Sequence, residues 1–167
     1  AAIVFWIHAG SASSRSKFRV RRHQLNDSSR HVVTCCTNAS RLSGGAPLAR
    51  AWRTTLADAT SRDVTTPNND TLYSTAWLDM SAGPVMLTIP PLPTRYHSVA
   101  LLDLFTDNQA VLGTRASGST GGRYWLVAPR WRGVTPAGAA LVRLPVDEAW
   151  VIIRVLVDGP ADLATAI

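Results

Sequence analysis

Trp150-Val151-Ile152-Ile153-Arg154-Val155-Leu156-Val157 is an almost unbroken apolar run in which Arg154 is the only charge. A run of this kind is expected of a strand covered on both faces. Leu72–Asp79 reads differently. There Leu72, Ser74, Ala76 and Leu78 alternate with Tyr73, Thr75, Trp77 and Asp79, the period of a strand with two unlike faces. Working outward from these two, Thr71–Met80, Val85–Ile89, Tyr96–Phe105, Gln109–Thr114, Arg123–Ala128, Ala140–Leu144 and Glu148–Val157 are all short runs rich in aliphatic, aromatic and β-branched residues. Turn signals separate them: Ala82-Gly83-Pro84, Pro90-Pro91-Leu92-Pro93, Thr106-Asp107-Asn108, Gly118 to Gly122, Gly133 and Pro136-Ala137-Gly138. Seven strands so punctuated predict a mostly β fold, an antiparallel β-sandwich or jelly roll. The glycine stretch reads as a hairpin tip.

Helix is expected at two places. Leu48, Trp52 and Leu56 fall four apart, which predicts a short amphipathic helix over Pro47–Asp58. After Val157, Asp158-Gly159-Pro160-Ala161-Asp162-Leu163 has a capping residue followed by Pro in the first turn, the start of a helix that is cut short at Ile167. The expected domains are therefore a β-sandwich module over residues 46–167, incomplete at its C-terminus, and a separate basic segment over residues 1–45.

Charge supports that division. The 17 basic residues exceed the 11 acidic ones by six, but residues 1–60 hold nine basic and two acidic side chains while residues 61–167 hold eight and nine. The surplus thus belongs to the first third. The stretch Gly10–Gly45 is rich in Ser, Arg, Thr and Asn and sustains no apolar period, so it reads either as a disordered basic arm or as translation outside the original reading frame. Lys17-Phe18-Arg19-Val20-Arg21-Arg22 is the pattern of a nucleic-acid-binding arm, but the near-neutral remainder argues against nucleic acid as the main partner. The apolar opening Ala1–Ile7 resembles the end of a signal peptide without its charged n-region, and a ragged fragment start fits it better. No apolar run approaches the roughly 20 residues of a membrane-spanning helix. Cys35 and Cys36, the only cysteines, are adjacent; they form no disulfide framework and leave the redox compartment open.

The run Arg62-Asp63-Val64-Thr65-Thr66-Pro67-Asn68-Asn69-Asp70-Thr71-Leu72-Tyr73-Ser74, continuing Ala76-Trp77-Leu78-Asp79, resembles the uncharacterised bacterial family called domain of unknown function twelve-fifty-four. Arg95-Tyr96-His97-Ser98, Leu102-Asp103, Thr106-Asp107-Asn108, Gly113-Thr114-Arg115 and Asp158 to Leu163 fit the same family. The resemblance covers about residues 47–167 and leaves out residues 1–45. It implies a mostly β, sandwich-like module of a larger two-module protein whose second module is missing here. It implies no reaction.

Two segments offer chemistry. Asn68, Asn69, Asp70, Thr71 and Tyr73 read structurally as an Asx turn feeding a strand, and functionally as the polar rim of a ligand pocket. Asp103, placed on one strand face with His97, Val99, Leu101 and Phe105, needs a partner; Arg95 and Arg115 are the cations at hand for an ion pair. Asp107 and Asn108 read as a hairpin turn, or, with Asn69 and Asp70, as an oxygen-rich cation site that matches no calcium loop. A single histidine, His97, in the strand region argues against a cupin-type metal centre, and no nucleophile elbow or phosphate loop occurs. No metal and no cofactor is expected. Trp125, Trp131 and Trp150 are core residues or sugar-stacking surfaces. The leading reading is a small-ligand-binding or structural β-sandwich module whose partner is a missing C-terminal module or a second copy of itself. A hydrolase using Asp70, Asp103, Asp107 and Arg95 is the competing class, and it requires those groups to converge.

Overall fold

The computed structural model describes residues 5–9, 46–52, 55–62 and 67–166. Among the described residues there are nine strands: β1 Trp6–Ala9, β2 Ala46–Trp52, β3 Thr71–Asp79, β4 Val85–Ile89, β5 His97–Leu102, β6 Asn108–Gly113, β7 Gly122–Val127, β8 Ala140–Arg143 and β9 Glu148–Leu156. A 3-10 turn, Pro160–Asp162, leads into the short helix α1, Leu163–Ala166. All seven runs read as strands form strands, β3 to β9. The expected C-terminal helix is there too. Residues 10–45, on which the basic-arm reading falls, lie outside the described residues.

The strands make two sheets, ordered β1-β4-β7-β8 and β2-β3-β9-β5-β6. Every pair is antiparallel except β7–β8, which is parallel. Inward residues of both sheets share one core: Val85, Leu87, Leu126 and Leu144 from the first meet Leu78, Val99, Leu101 and Val151 from the second, all fully buried. Strand alternation thus gives a sandwich-like arrangement. β9 lies in the middle of the larger sheet, between β3 and β5, as its continuous apolar character requires. Phe5 and Ile7, at the edge strand β1, pack against the same core. His97 is one of its members by position: it is fully buried, with Nδ1 3.2 Å from Thr114 Oγ1 and its ring 6.4 Å from that of Phe5.

Three expectations need correction. The helix over Pro47–Asp58 is absent from the described backbone: Ala46–Trp52 is strand β2, paired with β3, and residues 56–58 are irregular. Leu48 falls at the register shift between Pro47 and Ala49 and Leu56 lies beyond the strand, so the spacing of four does not belong to one regular element. Pairing to the open edge of β3 decided the strand. The glycine stretch is not a hairpin tip either. β6 and β7 belong to different sheets, and Gly118–Gly122 carries the chain between them, with the Leu92 N–H donating to the Ser119 carbonyl at 2.8 Å. Lastly, β5 ends at Leu102, so Asp103 and Phe105 are turn residues instead of face-mates of His97.

Candidate functional site

The turn that ends β5 is built by Asp103. Its Oδ1 accepts the Phe105 and Asp107 N–H groups at 2.8 and 3.0 Å, and its Oδ2 accepts Gln109 Nε2 at 2.9 Å. The Asp103 N–H donates to the Asp107 carbonyl at 3.0 Å, and Thr106 takes a positive φ of 69°. The expected ion pair is therefore replaced by a ring of N–H donors. Arg95 is engaged elsewhere and Arg115 lies over the Tyr96 ring at 5.5 Å. The turn holds Leu104 and Phe105 out in solvent, 60% and 86% exposed. Two large apolar side chains on a tight polar turn have no role in the core.

They form one wall of an open groove of about 710 Å³. Asp103 itself, Pro129 and Arg130, which follow β7, Pro145, Val146 and Asp147, which join β8 to β9, and Glu148, the first residue of β9, complete it. Leu104, Phe105, Pro129, Pro145 and Val146 make its lining partly apolar, and Asp103, Arg130, Asp147 and Glu148 are its charged residues. Arg130, Asp147 and Glu148 make no ion pair among the described residues. A lining of this mixed kind suits an amphipathic molecule, its apolar part against Phe105 and the prolines and its charged end against Arg130, Asp147 or Glu148.

The other predicted residues lie at the opposite end of the larger sheet. The Asp70 N–H donates to Asn68 Oδ1 at 3.0 Å, which is the Asx turn, and the Val157 N–H donates to the Asp70 carbonyl at 2.7 Å. Asn68, Asn69 and Asp70 are exposed, Thr71 is buried with its hydroxyl unpartnered, and Tyr73 sits under the Arg154 guanidinium, 5.4 Å from its ring. Arg95 donates to the Leu156 carbonyl at 2.6 Å and forks onto both oxygens of Asp162. This fork ties the 3-10 turn to the sheet.

It also fixes the ionisation of Asp162. Hydrogen bonds from Arg95 first, then from the Thr165 hydroxyl and the Asp158 N–H, hold the carboxyl far below the usual carboxylate range, and Asp162 in turn raises Arg95. A carboxyl lowered in the folded state stabilises fully above its unfolded value, about pH 4, and loses that contribution as pH falls further. Replacing Asp162 with Asn should therefore flatten the decline of melting temperature below about pH 4. Thermal melts of the two proteins across that range test this; parallel acid limbs would refute it.

The predicted residues thus form two groups and not one. Arg95 and Asp103 stand at opposite ends of β5, six residues long, about 20 Å apart along the strand. Asn69 and Asp70 are likewise distant from Asp107 and Asn108, so the oxygen-rich site is not assembled. Among the described residues no group of three or more His, Cys, Asp and Glu is placed to hold a metal ion. Trp125 and Trp131 meet edge to face at 6.4 Å over Met86 and Val127, which makes them core, whereas Trp150 stacks on Trp77. Leu104, Phe105, Arg130, Asp147 and Glu148 escaped the sequence reading. The available signal was Leu104-Phe105 itself, two large apolar residues inside an Asp-rich turn.

Fold and groove together define a mostly antiparallel two-sheet β-module with an open amphipathic cleft at one end. The chain belongs to the family described as Protein of unknown function (DUF1254), whose model matches residues 49–167. Among solved structures it is similar to that of the VPA0106 protein from Vibrio parahaemolyticus, with 30% identity and a TM-score of 0.56 over 59% of this chain. The match covers 25% of that protein, so this chain spans a minor part of its length. A comparison with curated proteins gives no match. No described helix is long and apolar enough to cross a membrane.

Proposed function

We propose that the chain is a small-ligand-binding β-sandwich module, one part of a larger two-module protein, and that the groove beside Phe105 takes the ligand. The observation that carries this is the groove itself: about 710 Å³, within the size range of small-molecule sites, and lined by apolar and charged residues together. The longer Vibrio protein supports the placement in a larger polypeptide. The ligand class is an amphipathic molecule of modest size bearing an amine or a carboxylate.

The test is a titration of the isotope-labelled chain with aromatic amines and aromatic carboxylates, followed by amide chemical shifts. Shifts should cluster at Leu104, Phe105, Arg130 and Val146. Replacing Phe105 with Ala should weaken binding about tenfold or more, since a buried aromatic contact dominates sites of this kind. Phe105 is 86% exposed in the unliganded chain, so this substitution leaves the core intact. Shifts confined to other surfaces, or an Ala variant that binds unchanged, would refute the assignment.

A further inference from the structure

Charges of both signs line the groove without neutralising one another, and the backbone that carries each is held by the fold. β7 and β8 run parallel and leave the smaller sheet side by side, Val127 being level with Arg143. Arg143 reaches across, its Nη1 donating to the carbonyls of Ala128, Pro129 and Trp131 at 3.2, 3.0 and 2.9 Å. Arg130 stands between the last two, so the segment that presents it is clamped to β8. On the acidic side the Met80 N–H donates to the Asp147 carbonyl at 2.8 Å, and Glu148 opens β9 opposite Asp79 of β3. The apolar wall is the Asp103 turn, whose Oδ1 holds the Phe105 N–H at 2.8 Å and leaves the ring in solvent.

These walls differ in what they ask of a ligand. Arg130 offers a guanidinium fork and, like Asp147 and Glu148, has no ion-pair partner among the described residues. Asp79 and Glu148 are like charges directly opposite each other on paired strands, a destabilising arrangement that a bound cation relieves. The Asp79 Oδ1 is already taken by the Ser81 N–H and hydroxyl, at 2.8 and 2.6 Å, so Glu148 and Asp147 are the acceptors left to the groove. A ligand with one charge would satisfy one wall and meet a like charge on another.

We propose that the ligand is an aromatic α-amino acid bound as its zwitterion, with its carboxylate on Arg130, its ammonium on Asp147 and Glu148, and its ring against Phe105. The inference rests on the groove being the ligand site, and it narrows the ligand from an amine or a carboxylate to a molecule that carries both. A guanidinium takes a carboxylate through two parallel N–H···O bonds, and an ammonium has three protons to share between two carboxylates. The ring gains an aromatic contact with Phe105, offset or edge to face. Because the three walls are held before the ligand arrives, binding costs little more than the ordering of a few side chains.

The test is a set of titrations of the full 167-residue chain with phenylalanine, phenethylamine and hydrocinnamate, followed by amide chemical shifts. The three share ring and chain length and carry both charges, the positive one alone and the negative one alone. Phenylalanine is expected to bind about tenfold tighter than either analogue. Arg130→Gln should weaken phenylalanine and hydrocinnamate about tenfold and leave phenethylamine unchanged or tighter. Asp147→Asn combined with Glu148→Gln should weaken phenylalanine and phenethylamine and spare hydrocinnamate. A ligand spared by a substitution shows that the variant folds. If either analogue binds as tightly as phenylalanine, or if each variant loses all three ligands equally, the zwitterion assignment falls while the groove stands as a ligand site. If none of the three moves the amides of Phe105 and Arg130, both fall.

Discussion

Replacing Asp103 with Ala is expected to destabilise the protein by about 3 kcal/mol. The carboxylate accepts two backbone N–H groups and one side-chain amide, and it is only 9% exposed. A hydrogen bond to a charged group contributes roughly 1.5–3 kcal/mol. The three do not add, because Phe105 and Asp107 lie on an exposed turn where water can replace the lost acceptor. Asp103→Asn should cost about 1 kcal/mol: its Oδ1 still serves the two N–H groups, and Gln109 can turn its amide to present an oxygen. Chemical denaturation gives both values, and an Ala variant within about 0.5 kcal/mol of the parent would show that the turn does not depend on the carboxylate. The Ala variant also releases the groove wall. Ligand affinity should therefore fall in Asp103→Ala, which both frees the wall and removes a residue of the groove lining.

Gly113→Ala should cost about as much, roughly 3 kcal/mol, for an unrelated reason. Gly113 closes β6 at φ 111°, where only glycine is unstrained. A Cβ there would stand 2.5 Å from the His97 carbonyl oxygen and 2.9 Å from Ser98 Cα, both backbone atoms of the neighbouring strand. Nothing nearby can yield. The Thr114 N–H bonds the His97 carbonyl at 3.0 Å, and the Gly113 carbonyl accepts the Ser117 N–H at 2.8 Å, so either backbone can retreat only by breaking its own hydrogen bonds. Gly118 is the internal control. It has a similar positive φ of 85° but open space around its Cβ position, so Ala there should cost only the dihedral strain, about 1 kcal/mol. Equal losses at the two glycines would show that the close approach to His97 is not what matters.

The strands were legible because each declares itself within its own few residues. Leu72–Asp79 alternates, and its even members Leu72, Ala76 and Leu78 are the buried ones. Leu48, Trp52 and Leu56 were not legible in the same way: their spacing suggested a helix, whereas Ala46–Trp52 pairs with the edge of β3 through a register shift at Leu48 and Leu56 lies beyond the strand. The Asx turn at Asn68 could be read because an Asp or Asn side chain acts on a backbone group two residues away. Asp103 was rightly marked as a carboxylate in need of partners, but the partners were taken to be arginines. The turn that supplies N–H groups instead exists only once β5 and β6 have paired.

For this protein, then, local sequence determined seven of the nine strands among the described residues, β3 to β9, together with the turns at Asn68 and Asp107 and the C-terminal helix start, because hydrophobic period and side chain–backbone hydrogen bonding act over a few residues. Tertiary structure alone decided which strands are neighbours, that Gly118–Gly122 crosses between sheets, and that Asp103 and Arg95 stand at opposite ends of β5. It also assembled the groove, whose walls come from three connections separated by tens of residues. Those outcomes depend on closing long loops and on competition among strand edges for partners, and no window of sequence contains either.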